Sequence, residues 1–163
     1  KPENVMRFGS RWKLIDLDGC LQGGDAKVSR GAFTPLYAAP ELAAFSLDDR
    51  SEVASIEPTG AMDVWAAGVV LLDVLVRGAA LLETKASYDS AGLFEEEDVP
   101  LEGCYRWLDD PAPLDLEGLV APGAPGAELL RRDTELRDLL RRLLDKSPAG
   151  RPTAEEFTRH AFL

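Results

Sequence analysis

Leu136, Leu139, Leu140, Leu143 and Leu144 recur at i, i+3, i+4, i+7 and i+8, the apolar stripe of an amphipathic helix. Asp133 stands where its N-cap belongs. Just beyond Pro152, Thr153 and Glu156 have the spacing of a capping box, which predicts a last helix running toward His160. Upstream, residues 61–76 (AMDVWAAGVVLLDVLV) are apolar nearly all round, apart from Asp63 and Asp73. With Thr59 as N-cap and Gly78 as the stop, they predict a buried central helix over 59–77. That run is shorter than the roughly 20 residues a membrane span requires.

The N-terminal part has a different rhythm. Residues 4–6 and 12–15 are short strand candidates, and the link between them contains Gly9 and has hairpin length. From 19 to 34 the chain is glycine-rich, polar and without period, and reads as a loop. A short helix is predicted to open at Pro40, because proline is favoured in a first turn. Residues 79–128 predict one or two short helices and a surface loop, with Glu95, Glu96, Glu97 and Asp98 as a solvated acidic face. The fold class is mainly α: one short β-hairpin followed by a helical bundle around a buried central helix.

Composition narrows the partners. The 163 residues amount to one domain, 45% hydrophobic and 29% charged, an ordinary globular balance. A net charge of −11 argues against nucleic acid and against an anionic membrane, since both need a basic face. The two cysteines, Cys20 and Cys104, match no metal spacing and no disulfide framework, so the chain reads as reduced and cytoplasmic. The opening Lys-Pro-Glu-Asn has neither a signal-peptide pattern nor the look of a fold's beginning, and a longer protein is expected around it.

Two carboxylates, Asp16 and Asp18, follow a short apolar run in LIDLDGC. They admit a metal clamp, a plain turn, or an altered form of a known motif. The segments around them bear on the choice. Lys1-Pro2-Glu3-Asn4 resembles the end of the protein kinase catalytic loop, H-R-D-x-K-P-E-N. Asp16-Leu17-Asp18 falls where D-F-G stands. Thr34-Pro35-Leu36-Tyr37-Ala38-Ala39-Pro40-Glu41 resembles T-P-x-Y-x-A-P-E. Asp63-Val64-Trp65 through Val69 resembles the D-V-W-S-x-G-V start of the central kinase helix. Leu143-Leu144-Asp145 through Arg151-Pro152-Thr153, ending at His160-Ala161-Phe162-Leu163, resembles the family's closing motifs. Five such segments in order identify the whole chain as similar to the C-terminal lobe of a protein kinase, of serine/threonine type.

That resemblance divides residues 1–163 into a catalytic-loop end and metal-binding hairpin (1–18), an activation segment (19–41), the central helix (59–77) and C-terminal helices (133–163). It implies ATP and Mg2+ as cofactors and a protein as substrate. Phosphoryl transfer needs magnesium to neutralise phosphate charge, and magnesium takes oxygen ligands from one or two protein groups. Asn4 supplies a carbonyl and Asp16 a carboxylate, and a hairpin between them would bring both to one end of the sheet. By resemblance, Asp16 bridges metal and phosphates, Asn4 holds a second metal, Lys1 contacts the γ-phosphate, and Thr34 hydrogen-bonds Lys1 and the catalytic aspartate. Glu41 and Arg151 correspond to a structural ion pair, and Asp63 to an acceptor of backbone N–H bonds from the catalytic loop. Ser29 is the candidate regulatory phosphosite. His160, the only histidine, is expected to be structural.

The departures define a second reading. The family's catalytic aspartate belongs two residues before Lys1, and the N-lobe, with its glycine-rich loop, is the expected missing partner of an apolar surface left open. Leu17 replaces phenylalanine. Asp18 replaces a glycine, where positive φ is expected to fall on Asp18 or pass to Gly19. A pseudokinase scaffold is therefore the alternative to an active kinase.

Overall fold

The structure is a computed structural model that describes residues 1–21, 26–29, 33–48, 55–76, 100–120 and 123–163, with backbone alone for 100–103. Gly78, the 95–98 acidic run, Arg30 and Arg77 lie outside these residues. The described chain is mainly helical, with a short two-stranded hairpin at its start.

Strands β1 (Val5–Phe8) and β2 (Arg11–Leu14) pair antiparallel, with Val5 opposite Leu14 and Phe8 opposite Arg11. The connection is tighter than the sequence suggests, only Gly9-Ser10. Gly9 adopts φ +61°, as the first central residue of a two-residue hairpin turn requires. Both faces of this hairpin meet solvent: Trp12 is 67% and Leu14 70% exposed on one, and Arg11 and Lys13 are exposed on the other.

The expected loop over 19–34 contains a strand. Val28–Ser29 (β3) pairs antiparallel with Ser55–Ile56 (β4). Two residues are too few to show a period, so this pairing left no pattern to read. The first helix, α1 (Pro40–Leu47), opens at Pro40 as expected and buries Leu42, Ala43 and Phe45.

The central helix α2 runs Gly60–Val76 and buries Val64, Trp65, Gly68, Val69, Leu72, Asp73 and Leu75. Its burial is one-sided at the C-terminal end, where Val74 stays 66% exposed. Gly68 is a point of close approach: a Cβ there would lie 2.9 Å from Leu143 Cβ and from Leu144 Cδ2. Within 79–128, helices α3 (Pro100–Asp109) and α4 (Leu116–Leu119) appear, and α5 (Ala127–Arg132) begins. They do more than cover the surface. Cys104, Leu108, Leu116, Leu119 and Ala127 join the main core with Trp65, Val69 and Leu72.

Helix α6 (Thr134–Leu143) is capped by Asp133, which accepts from Leu136 N–H at 2.9 Å. Its leucine stripe is fully interior, with Leu136, Leu139, Leu140 and Leu143 all at 0% exposure. The Thr153–Glu156 capping box forms at α7, but α7 is only Ala154–Phe157. It ends before His160 because the chain turns, with His160 N–H bonding Phe157 O at 3.1 Å. His160 itself holds this terminus: its Nε2 lies 3.1 Å from Asp138 Oδ2 and its Nδ1 accepts from Phe162 N–H. No described helix is long and apolar enough to cross a membrane.

Candidate active site

The hairpin register decides where the two candidate metal ligands stand. Asn4 ends the 3-10 turn Pro2–Asn4 directly before β1, and Asp16 follows β2 by two residues. Because Val5 faces Leu14, the ladder continues outward, and Ile15 N–H donates to Asn4 O at 2.9 Å. Twelve residues of sequence therefore close into a separation of one ladder rung.

Asp16 is the one described non-glycine residue with positive φ, at +57°. Left-handed backbone costs an L-residue roughly 1–2 kcal/mol, less for Asp than for most. Strain of this kind collects at functional positions, and it re-aims the side chain just where the strand ends. The next residues are ordinary. Cys20 N–H donates to Leu17 O at 2.9 Å, closing a turn with Asp18 and Gly19 at its centre, neither with positive φ. The expectation of left-handed backbone at 18 or 19 is thus corrected: residue 16 takes it, and a hydrogen-bonded turn follows that both Asp and Gly suit.

Lys1, Asn4, Asp16, Thr34 and Asp63 line one open cleft of about 510 Å³, with Gly19, Phe33, Tyr37 and Met62 among its walls. Asp18 is not on its lining. Thr34 enters from the activation segment, where it precedes the 3-10 turn Pro35–Tyr37 and makes no side-chain capping bond. Ser29 is exposed on β3, opposite Ser55, away from the cleft lining.

Two interactions hold the cleft's walls. Arg151 donates to Glu41 through Nη1–Oε1 at 2.8 Å and Nη2–Oε2 at 2.7 Å. The Arg151 side chain is 0% exposed, and it also donates to the carbonyls of Asp145, Ala61 and Lys146. Its guanidinium lies 5.2 Å from the Trp65 ring centroid. This network ties the start of α1 to the start of α2 and to the segment preceding α7. The second interaction is Tyr37 Oη donating to Asp73 Oδ2 at 2.8 Å. Burial, then the bond to Asp73, pushes the Tyr37 hydroxyl well above its ordinary pKa.

The protein kinase domain model matches residues 1–163, the whole chain.

This chain belongs to the protein kinase family. No match was found among curated proteins. Protein kinases generally use ATP and Mg2+, and the donor set of this kinase chain suits that cation. Asn4 and Asp16 offer hard oxygen atoms, and no cluster of three or more His, Cys, Asp or Glu stands ready for a metal among the described residues. Such a site leaves coordination positions for phosphate and water, as Mg2+ prefers, instead of enclosing the ion in protein.

Asp63 is exposed in the first turn of α2, and the N-terminal position is favourable for an acid. The Tyr37–Asp73 bond escaped sequence reading. Its signal was available: a carboxylate inside an apolar helix must find a donor.

Proposed function

We propose that this chain is the C-terminal lobe of a serine/threonine protein kinase domain that transfers the γ-phosphoryl group of Mg·ATP to protein hydroxyls. One observation carries the reading. Asn4 and Asp16, which stand at the hairpin end where Ile15 N–H donates to Asn4 O, line one cleft with Lys1 and Thr34.

In this reading Asp16 would hold one magnesium ion and Asn4 a second, and the metal so held would supply neutralisation of the charge developing on the phosphate oxygens. Lys1 places its ammonium against the transferred group, which favours the charge spread over its oxygens. Thr34 orients Lys1 and the catalytic aspartate that the family pattern places two residues before Lys1. The acceptor hydroxyl oxygen bonds to phosphorus as the bond to the bridging oxygen breaks, ADP leaves, and that aspartate takes the hydroxyl proton. The exposed Trp12 and Leu14 offer an apolar surface for the N-lobe, and the acidic chain acts on proteins of the cytoplasm.

A pseudokinase scaffold is the second reading, favoured by Asp18 at the glycine position. The complete domain separates the two. Incubated with Mg·ATP and a protein substrate, it is expected to transfer phosphate, and Asp16→Ala is expected to lose at least about a hundredfold in rate. Equal rates for parent and variant would overturn the kinase assignment. Folded protein that binds a partner without transfer would establish the scaffold.

A further inference from the structure

We propose that Ser147 is a phosphorylation site whose phosphate is received by Arg141 and Lys146. Ser147 links α6 to the 3-10 turn Pro148–Gly150. It is exposed, with extended backbone at φ −79°, ψ 120°. Accessible, extended backbone is what the substrate groove of a modifying kinase admits. Pro148 maintains it, because the residue before a proline is steered away from helix. The Ser147 N–H is held by Asp145 Oδ1 at 2.8 Å, while its hydroxyl makes no capping bond. The backbone is pinned and the oxygen is left accessible.

The surroundings favour the product. Ser147, Arg141 and Lys146 line one cleft of about 340 Å³ beneath Pro111 and Pro113. The other exposed arginines with nearby acids are engaged: Arg131 and Arg132 pair with Glu128, Arg142 with Asp138, Arg159 with Glu155. Arg141 has no ion-pair partner among the described residues, although the chain carries 29 acidic residues against 18 basic ones. Lys146 Nζ donates to the carbonyls of Trp107 at 2.8 Å and Asp110 at 2.6 Å, which leaves the third of its three donors. The cleft lining carries one carboxylate, Asp145, and Asp109 and Asp110 at the end of α3 also act on Lys146. A phosphoserine carries about −1.5 to −2 charges at pH 7, and Arg141 can meet two of its oxygens at once.

The step needs Mg·ATP and a proline-directed serine/threonine kinase. The Ser147 Oγ–phosphorus bond forms as the bond from the γ-phosphorus to the bridging oxygen breaks. ADP leaves, and the hydroxyl proton passes to the base of the modifying enzyme. The new charge lies beside the carbonyls of Asp145 and Lys146 that hold Arg151.

The test treats the complete folded protein with such a kinase and maps the phosphate by mass spectrometry. One phosphoryl group at Ser147, lost in Ser147→Ala, is expected. Phosphorus NMR then follows the second ionisation of the phosphoserine. It should fall below about pH 6 and move back up in Arg141→Gln. No phosphate at Ser147 in folded protein would overturn the proposal, as would an ionisation that Arg141→Gln leaves unchanged.

Discussion

Glu41 and Arg151 stand 110 residues apart in sequence and meet through two parallel hydrogen bonds of 2.8 and 2.7 Å. Arg151 is wholly enclosed, whereas the Glu41 side chain keeps 20% of its exposure. Removing the acid strands a desolvated guanidinium. Glu41→Ala is therefore expected to cost roughly 3–5 kcal/mol, read as a lower urea midpoint. Glu41→Gln, which keeps an acceptor for one of the two bonds, should cost less. A Glu41→Ala midpoint within error of the parent would show that the pair holds nothing together.

Tyr37 and Asp73 make a smaller but pH-dependent contribution. Asp73 is 7% exposed, so losing the hydroxyl donor in Tyr37→Phe should cost about 1.5–3 kcal/mol. Folding raises the Tyr37 pKa. A group so raised contributes stability that is complete below its ordinary pKa near 10 and is lost as pH climbs toward the folded value. The parent should lose stability between about pH 10 and 12, and Tyr37→Phe should lose the part of that slope due to this group. Parallel alkaline curves for the two proteins would refute the assignment.

At Gly68 the backbone of α2 is approached closely by the side chains of Leu143 and Leu144 at the end of α6. A methyl group would sit 2.9 Å from Leu143 Cβ, and that atom lies next to helix backbone and has little room to yield. Gly68→Ala is expected to destabilise by about 1–3 kcal/mol, even though alanine is the better helix former. A gain in thermal stability would mean that α6 can shift at low cost.

Sequence anticipated the parts governed by local rules. The leucine stripe of α6, its Asp133 cap, the Thr153–Glu156 box and the hairpin each have a short-range signature that packing then reinforces. What escaped depends on distant partners. The Val28–Ser29 strand exists through Ser55–Ile56, and neither pair of residues has a pattern of its own. The carbonyl contacts of Arg151 and the Tyr37–Asp73 bond likewise need the folded chain. Within the cleft, motif register pointed to Asn4, Asp16, Lys1 and Thr34. The left-handed backbone at Asp16, with an ordinary turn over 17–20, could not be read from Asp-Leu-Asp, because several residues there tolerate either conformation.

The central claim is that the hairpin end brings Asn4 and Asp16 together as ligands for Mg·ATP. Its most direct measurement is calorimetric titration of the complete domain with ATP, in magnesium and again after chelation. Magnesium should tighten binding in the parent. Asn4→Ala and Asp16→Asn should each weaken the magnesium-dependent part at least about tenfold, or about 1.4 kcal/mol, with unchanged unfolding midpoints. Equal magnesium-dependent affinity in parent and both variants would contradict the account.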